Sequence, residues 1–141
     1  MYEELMAQLL QHEGLRLKPY KCTAGKLTIG IGRNLDDVGI TEDEAFSMLR
    51  NDVMRVVKEV SVAFPVIESL DSVRADVIYN MAFNLGISRL RGFKKMWKAI
   101  EAQDWEEASV QMLDSKWARQ VGKRSTDLAQ QMVTGEYVYA G

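Results

Sequence analysis

The spacing of apolar residues changes only once along this sequence. Residues 27–31 alternate between apolar and small or polar side chains, which is the pattern of a half-buried β-strand. The Ala24-Gly25 pair just before them indicates a turn, so the pattern predicts a small β-hairpin with a third short strand after Gly32. On both sides of this segment apolar residues recur at helical spacing. The chain can therefore form only a very small sheet within a mostly helical protein.

Two helices are expected to flank the hairpin. The apolar residues within 3–12 recur at helical spacing, which predicts a short helix there. After the hairpin, Thr41 and Glu44 form a capping box, in which the hydroxyl and the carboxylate each satisfy a free backbone N–H. This helix is predicted to be about 18 residues long and to end before Pro65, because the residue before a proline disfavours the α conformation.

The rest of the chain carries start and stop signals of short helices. Helices are predicted over 72–85 with Asp71 as N-cap and Gly86 as stop, over 105–113 with Asp104 as N-cap, and over 126–133 with Ser125 as N-cap and Gly135 as stop. Further helical turns are expected around Phe93–Ile100 and over 115–121.

These elements predict an α+β fold with a small N-terminal lobe that holds a short antiparallel β-sheet, a long connecting helix, and a C-terminal lobe formed by a helical bundle. At 141 residues the chain is assigned to one domain, 1–141. The first lobe is predicted over 13–60 and the second over 61–141, with the helix over 3–12 packing on the second lobe. A cleft between two such lobes is the expected binding site.

Composition excludes several classes of protein. A single cysteine cannot form an internal disulfide, and one histidine with one cysteine cannot form a typical zinc site. The longest stretch without charge, Val77–Ser88, is too short to span a bilayer, and Glu3 and Glu4 argue against a signal peptide. The net charge of −2 argues against a general nucleic-acid binder.

Glu13, Cys22 and Thr28 are the candidate catalytic residues. A helix end that faces a hairpin can bring a carboxyl, a thiol and a hydroxyl to one wall. Glycoside hydrolysis needs an acid that protonates the leaving oxygen, and a group on the opposite side of the sugar that orients or activates water. Taken alone, these residues are a weak signal. Glu13 could be a solvated surface residue, Cys22 a buried packing residue and Thr28 an ordinary strand residue.

The sequence around these residues resembles the active-site hairpin of the phage-type (T-even-like) lysozymes. The resemblance rests on the runs HEGLRLKPY over 12–20 and LTIGIG over 27–32. The family pattern of Glu, eight residues, Asp or Cys, five residues and Thr fits Glu13, Cys22 and Thr28. Further similar segments extend the resemblance over essentially the whole chain, and they lie at 39–45, 70–74, 80–83, 92–93, 105–108, 115–117 and 134–135.

The resemblance implies a lysozyme-like fold and a muramidase that cuts the β-1,4 bond between N-acetylmuramic acid and N-acetylglucosamine in peptidoglycan. Glu13 would be the general acid, Cys22 would take the place of the base or water-orienting carboxylate, and Thr28 would help to hold the water. The implied substrate-binding residues are Leu35, Phe83, Met96, Gln111 and Arg124, with Arg124 beside the catalytic glutamate.

The resemblance also implies a phage endolysin. It would accumulate in the host cytoplasm and reach the periplasmic cell wall once the membrane is permeabilised. The expected partner is the peptidoglycan glycan strand, with no nucleic acid, no stable membrane association, no cofactor and no metal. A monomer is expected.

Alternatives remain open. A lytic transglycosylase would cut the same bond with the same glutamate but form an anhydro sugar, and a non-catalytic peptidoglycan-binding module would not cut it. Cys22 could act as a thiolate base, position water, attack covalently, or serve as a redox switch.

Residues 86–124 are basic within this acidic chain, with 9 Lys and Arg against 5 Asp and Glu. A run of five cations surrounds two aromatic residues in this region: Arg89, Arg91, Lys94, Lys95 and Lys98, with Phe93 and Trp97. Three interpretations are open. The run is a solvated helix face over a core stripe, a surface that attracts the carboxylates of the cell wall, or a contact for nucleic acid.

Overall fold

The chain is helical apart from one small sheet in its first third. The computed structural model describes residues 1–139. The first elements are helix α1 (Glu3–Glu13), strands β1 (Arg16–Lys21), β2 (Leu27–Gly30) and β3 (Arg33–Asn34), and the long helix α2 (Glu42–Ala63). These elements and the helices after them confirm the predicted α+β, lysozyme-like fold class.

The three strands form an antiparallel sheet in the order β1-β2-β3. Tyr20 lies opposite Thr28, and Thr28 in turn lies opposite Asn34. Gly25 has a φ of +78°, which an L side chain rarely adopts, and it provides the tight turn between β1 and β2. The predicted hairpin, its turn and its third strand are all confirmed.

Helix α2 begins at the predicted capping box. The backbone N–H of Thr41 donates to Glu44 Oε1 at 2.8 Å, and the N–H of Glu44 donates to Thr41 Oγ1 at 3.1 Å. The helix has 22 residues instead of the expected 18 or so. It continues to Ala63 because the first proline in its path is Pro65, which forces only Phe64 out of the α conformation.

Internal contacts divide the chain into two compact units, Met1–Met48 and Leu49–Gly141. The boundary falls within α2. The predicted lobes over 13–60 and 61–141, and the assignment of the helix over 3–12 to the second lobe, stay predictions.

The second unit consists of short helices. They are a 3₁₀ helix (Pro65–Ser69) and helices α3 (Ser72–Leu85), α4 (Ile87–Arg91), α5 (Lys94–Glu101), α6 (Trp105–Leu113), α7 (Lys116–Val121) and α8 (Lys123–Thr134). Asp71 and Asp104 cap α3 and α6 as predicted. The 3₁₀ helix and α4 were not predicted, because neither is long enough to show a helical period.

The predicted start of the last helix was wrong. Helix α8 begins at Lys123, directly after Gly122, and Ser125 lies inside its first turn. The Ser125 hydroxyl donates to the carbonyl of Gly122 at 2.6 Å, so it does not cap a backbone N–H. Gly122 has a φ of +60° and turns the chain sharply, which lets the helix start three residues earlier than a serine cap would.

Arg74 links three helices of the second unit. Its Nε donates to the carbonyl of Met132 at 2.7 Å, and its Nη2 donates to the carbonyl of Val133 at 2.9 Å. Its guanidinium also lies 4.5 Å from the centre of the Trp105 ring. A residue of α3 therefore satisfies carbonyl groups at the end of α8 and packs against α6.

The apolar core lies in the second unit. Fully buried side chains come from α2, α3, α5, α6 and α8, including Val60, Ile78, Met96, Met112 and Met132. In the first unit Thr28 is the one buried residue. Among residues 1–139 no helix combines the length and the apolar character needed to cross a bilayer.

Candidate active site

Glu13 is the last residue of α1, and its side chain is exposed. The helix ends there because Gly14 adopts a φ of +75° and donates its N–H back to the carbonyl of Leu10. Strand β1 begins two residues later, where Arg16 pairs with Gly30 at the end of β2. The end of α1 and the end of β2 are thereby held at the same edge of the hairpin.

Gly32 provides the surface on which the Glu13 side chain lies. A Cβ atom placed on Gly32 would stand 2.9 Å from both Cδ and Oε2 of Glu13, which is closer than real Cβ contacts allow. The φ of Gly32 is +73°. The contact between Gly32 and Glu13 is set by the fold, since the two residues lie nineteen positions apart in the sequence.

Cys22 follows β1 at the start of the hairpin turn. Its backbone N–H donates to the carbonyl of Lys26 at 2.9 Å, and its carbonyl accepts the N–H of Gly25 at 2.8 Å. The backbone N–H groups of Lys26 and Ala24 face the sulfur and lower the pKa of the Cys22 thiol below its ordinary value. The turn therefore makes the thiol proton easier to lose, and the thiolate is the form that can accept a proton.

Thr28 lies on β2 with only 3% of its surface exposed. Its hydroxyl donates to the carbonyl of Lys26 at 2.9 Å. The same hydroxyl also contributes to the lowered pKa of the Cys22 thiol. The structure therefore places Thr28 close enough to Cys22 to influence the thiol, while the hydrogen of its hydroxyl is donated to the carbonyl of Lys26.

The first unit thus carries an exposed carboxyl at one helix end and a coupled thiol and hydroxyl on the adjoining hairpin. A carboxyl can act as a proton donor, and a thiolate next to a hydroxyl can hold and polarise a water molecule. Of the other residues predicted in this unit, Leu35 is half-buried, and its N–H donates to the carbonyl of Leu27 at 2.7 Å.

Arg33 braces the loop after the Gly32 turn. Its guanidinium donates to both oxygens of Glu44 at 2.8 and 2.9 Å, and to the carbonyl of Gly39 at 3.1 Å. The paired Arg33, together with the backbone N–H of Thr41, lowers the pKa of Glu44 to about 2. The capping residue of α2 therefore also holds the segment that follows β3.

Replacing Glu44 by Gln is expected to lower the Tm at pH 7, and this deficit should shrink as the pH falls. A carboxyl with a folded pKa of about 2 and an unfolded pKa of 4.5 stabilises the fold above pH 4.5, and this contribution is lost as the pH approaches 2. Thermal melts between pH 2 and pH 7 measure it. Glu42→Gln is the control, since Glu42 begins the same helix and forms no ion pair with an arginine among residues 1–139. A deficit that stays constant with pH, or an equal one in Glu42→Gln, contradicts the prediction.

Two predicted substrate-binding residues of the second unit line one cavity. This cavity has a volume of about 620 Å³ and lies between α5, α6 and α7. Met96 and Gln111 both line it, with Phe93 and Trp117, whose rings meet edge to face at 6.3 Å. Met96 is fully buried and Gln111 half-buried, so Gln111 presents more polar surface to the cavity.

Phe83 and Arg124 are not among the residues that line this cavity. Phe83 lies on α3 with 46% of its surface exposed. Arg124, on α8, donates from Nε and Nη2 to Oδ1 of Asn80 at 3.0 and 2.7 Å. The roles of both residues toward a substrate stay predictions.

No group of three or more His, Cys, Asp or Glu side chains that could hold a metal ion occurs within residues 1–139.

Comparison with known proteins identifies what the chain resembles. The family profile described as phage lysozyme matches residues 10–132. The chain is 32% identical to a probable T4-type lysozyme 2 of Dictyostelium discoideum over 96% of both proteins. It is 31% identical to an endolysin of Acyrthosiphon pisum secondary endosymbiont phage 1, over 87% of this chain and 84% of the endolysin. It is also 31% identical to the pre-baseplate central spike protein Gp5 of Enterobacteria phage T4, over 92% of this chain and 28% of the spike protein.

Proposed function

Because the chain belongs to the phage lysozyme family, whose members are glycoside hydrolases that break down peptidoglycan, we propose that it hydrolyses the β-1,4 bond between N-acetylmuramic acid and N-acetylglucosamine. One observation carries this proposal. The exposed Glu13 carboxyl lies on the backbone of Gly32, on the same small unit that couples the Cys22 thiol to the Thr28 hydroxyl. This combination supplies the proton donor and the water-orienting groups that glycoside hydrolysis needs.

In the proposed mechanism, Glu13 donates its proton to the bridging oxygen as the bond to the anomeric carbon breaks. Water attacks that carbon, and the Cys22 thiolate accepts the proton that the water loses. The lowered thiol pKa supports a thiolate in this role, and the Thr28 hydroxyl helps to hold the water. Attack by water on the face opposite the leaving group inverts the configuration. Leu35, Phe83, Met96, Gln111 and Arg124 are proposed to bind the sugars around the bond.

The products distinguish hydrolysis from the transglycosylase alternative. Digestion of purified peptidoglycan, followed by mass spectrometry, is expected to yield reducing N-acetylmuramic acid ends. Anhydro ends, which are lighter by one water, would instead assign the chain to the lytic transglycosylases. Intact peptidoglycan after prolonged incubation would favour a non-catalytic binding module.

The same proposal includes a role in host lysis. The similarity to an endolysin supports production in the host cytoplasm and action on the periplasmic wall after the membrane is permeabilised. The chain would act as a monomer without stable membrane association. Because the chain is also similar to a phage spike protein and to a Dictyostelium lysozyme, the proposed role in host lysis needs a direct test. Expression in a Gram-negative host should cause lysis only when a membrane-permeabilising protein is co-expressed, and lysis without one would contradict this route.

Replacing Cys22 by Asp is expected to keep or increase the activity, because a carboxylate is a base at neutral pH without help from the turn. Clearing of permeabilised Gram-negative cells measures it. Cys22→Ala is the control, since it has neither a proton acceptor nor a polar atom for water. Complete loss in Cys22→Asp would indicate covalent thiolate chemistry, and full activity in Cys22→Ala would remove the position from the mechanism.

A further inference from the structure

A second cavity of about 350 Å³ lies between the end of α2, the 3₁₀ helix and α5. Its wall is formed by Phe64 and Trp97, whose rings stack at 4.3 Å with an angle of 17° between their planes. The indole N–H of Trp97 donates to the carbonyl of Leu90 at 3.0 Å, so the tryptophan needs no further hydrogen-bonding partner. We refer to this cavity as the aromatic pocket. Glu13, Cys22 and Thr28 are not among its lining residues, and it shares one of them, Lys94, with the cavity of about 620 Å³.

Cations surround the aromatic pocket. Arg91, Lys94 and Lys98 line it against a single carboxylate, Glu101. The Arg91 guanidinium lies 5.3 Å from the centre of the Phe64 ring. No ion pair of these three cations with a carboxylate is found within residues 1–139. The pocket therefore presents a positive charge that the protein itself does not neutralise.

Two repulsions at α5 are unfavourable for the fold, although Lys98 itself lies in the last turn, where the helix dipole favours a cation. Lys94 is the first residue of α5, where the positive end of the helix dipole repels a cation. Lys94 and Lys98 are four residues apart, so they lie on the same face of the helix and repel each other. An anion bound in the pocket would relieve both repulsions.

We propose that the aromatic pocket binds the carboxylate-bearing stem peptide of peptidoglycan, so that the protein holds the cell wall through a contact separate from its bond-cleaving residues. The proposal rests on the proposed function for the identity of the polymer. The cations recognise the peptide carboxylates by charge-assisted hydrogen bonds, and the concave wall gives a short chain a place to enter. The proposal thereby gives a binding role to the basic run around Phe93 and Trp97, for which the sequence alone left several interpretations open.

The shape of the pocket favours a peptide over a membrane or a nucleic acid. Phe64 and Trp97 are each only 8% exposed, so neither ring protrudes to insert into a bilayer. Stacking of nucleic-acid bases likewise needs accessible ring faces, and these two rings stack on each other instead. A concave site with a cationic rim suits a short anionic chain that enters it.

The test compares two double variants with the same loss of charge. Arg91→Gln with Lys98→Gln removes two cations from the pocket, and Lys58→Gln with Arg119→Gln removes one arginine and one lysine from exposed positions outside it. Both are made in a Glu13→Gln background, and binding to purified sacculi is measured by co-sedimentation at low salt. The pocket variant is expected to bind about fivefold or more weakly, and the control within about twofold of the parent protein.

Two further probes identify the ligand. On glycan strands freed of stem peptides by an amidase, the pocket variant and the control should bind equally, and neither should differ on phosphatidylglycerol vesicles. Equal binding of the two variants to sacculi overturns the proposal. So does a difference that persists on peptide-free strands or appears on the vesicles. Lys98→Glu alone, which keeps the Arg91–Phe64 contact, replaces the double variant if the latter is less folded by circular dichroism.

Failure of the proposed function is read from a separate experiment. Digestion of whole sacculi by the protein with Glu13 intact, measured as new reducing ends against the Glu13→Gln protein, reports bond cleavage on the substrate that carries its stem peptides. No cleavage there, together with weakened binding of the pocket variant to sacculi, would reject the hydrolase and keep the binding site. Cleavage together with unchanged binding would do the reverse.

Discussion

Replacing Glu13 by Gln is expected to lower the rate of cell-wall hydrolysis by about 10²- to 10⁴-fold. Gln has nearly the same shape as Glu but carries no proton that it can give to the leaving oxygen. Because the Glu13 side chain is exposed at the end of α1, the Tm should change little. The loss should therefore appear in kcat at unchanged stability, measured by clearing of permeabilised cells and by thermal melts of the same preparation.

The matched control is Glu4→Gln. Glu4 lies in the first turn of the same helix, is exposed, and loses the same charge. It should leave the rate within about twofold of the original, since surface substitutions away from a site usually have small effects. Equal rates for both variants and the parent protein would remove Glu13 from its role as the acid, whatever the family pattern.

Replacing Gly32 by Ala is expected to reduce activity by about 10- to 100-fold although it removes no polar group. The new Cβ would stand 2.9 Å from Cδ and Oε2 of Glu13, so the carboxyl must move away from its place. A displacement of about 1 Å at a reacting group can cost about 10²-fold in rate. The φ of +73° adds a conformational cost of about 1–2 kcal/mol to folding.

Gly39→Ala separates the two effects in Gly32→Ala. Gly39 has a similar φ of +67°, but a Cβ there would meet no atom within 4 Å. Both variants should therefore lose similar stability in urea titrations, while only Gly32→Ala loses activity. If the two lose activity in parallel, strain in the backbone accounts for the result and the contact with Glu13 does not.

The elements that the sequence predicted are those set by neighbouring residues. The Thr41–Glu44 capping box, the Asp71 and Asp104 caps and the turn at Gly25 all depend on groups within a few residues of one another. The resemblance to the lysozyme family, rather than local spacing alone, singled out Glu13, Cys22 and Thr28 as a set, and in the structure the Thr28 hydroxyl contributes to the lowered pKa of the Cys22 thiol. Caps and turns of this kind do not depend on how distant parts of the chain pack, so they can be predicted from the local sequence.

The features that the sequence could not predict depend on groups brought together by the fold. The carboxyl of Glu13 and the backbone of Gly32 meet because the pairing of β1 with β2 returns the chain to the end of α1. The Arg33–Glu44 pair joins a short strand to a helix cap eleven residues away. The prediction that Ser125 caps α8 was wrong because the backbone conformation of Gly122, and not a side-chain hydrogen bond, sets the start of that helix.

The Arg74 link also sets an order of events during protein synthesis. Its acceptor carbonyls, at Met132 and Val133, are translated almost sixty codons after it. The hairpin contacts of the first unit are all local and can form early, whereas α3 and α6 must wait for α8 before the guanidinium finds its partners. The strands of the small sheet can therefore pair before α8 is synthesised, whereas the link from α3 to α8 cannot form until the chain has been translated to residue 133.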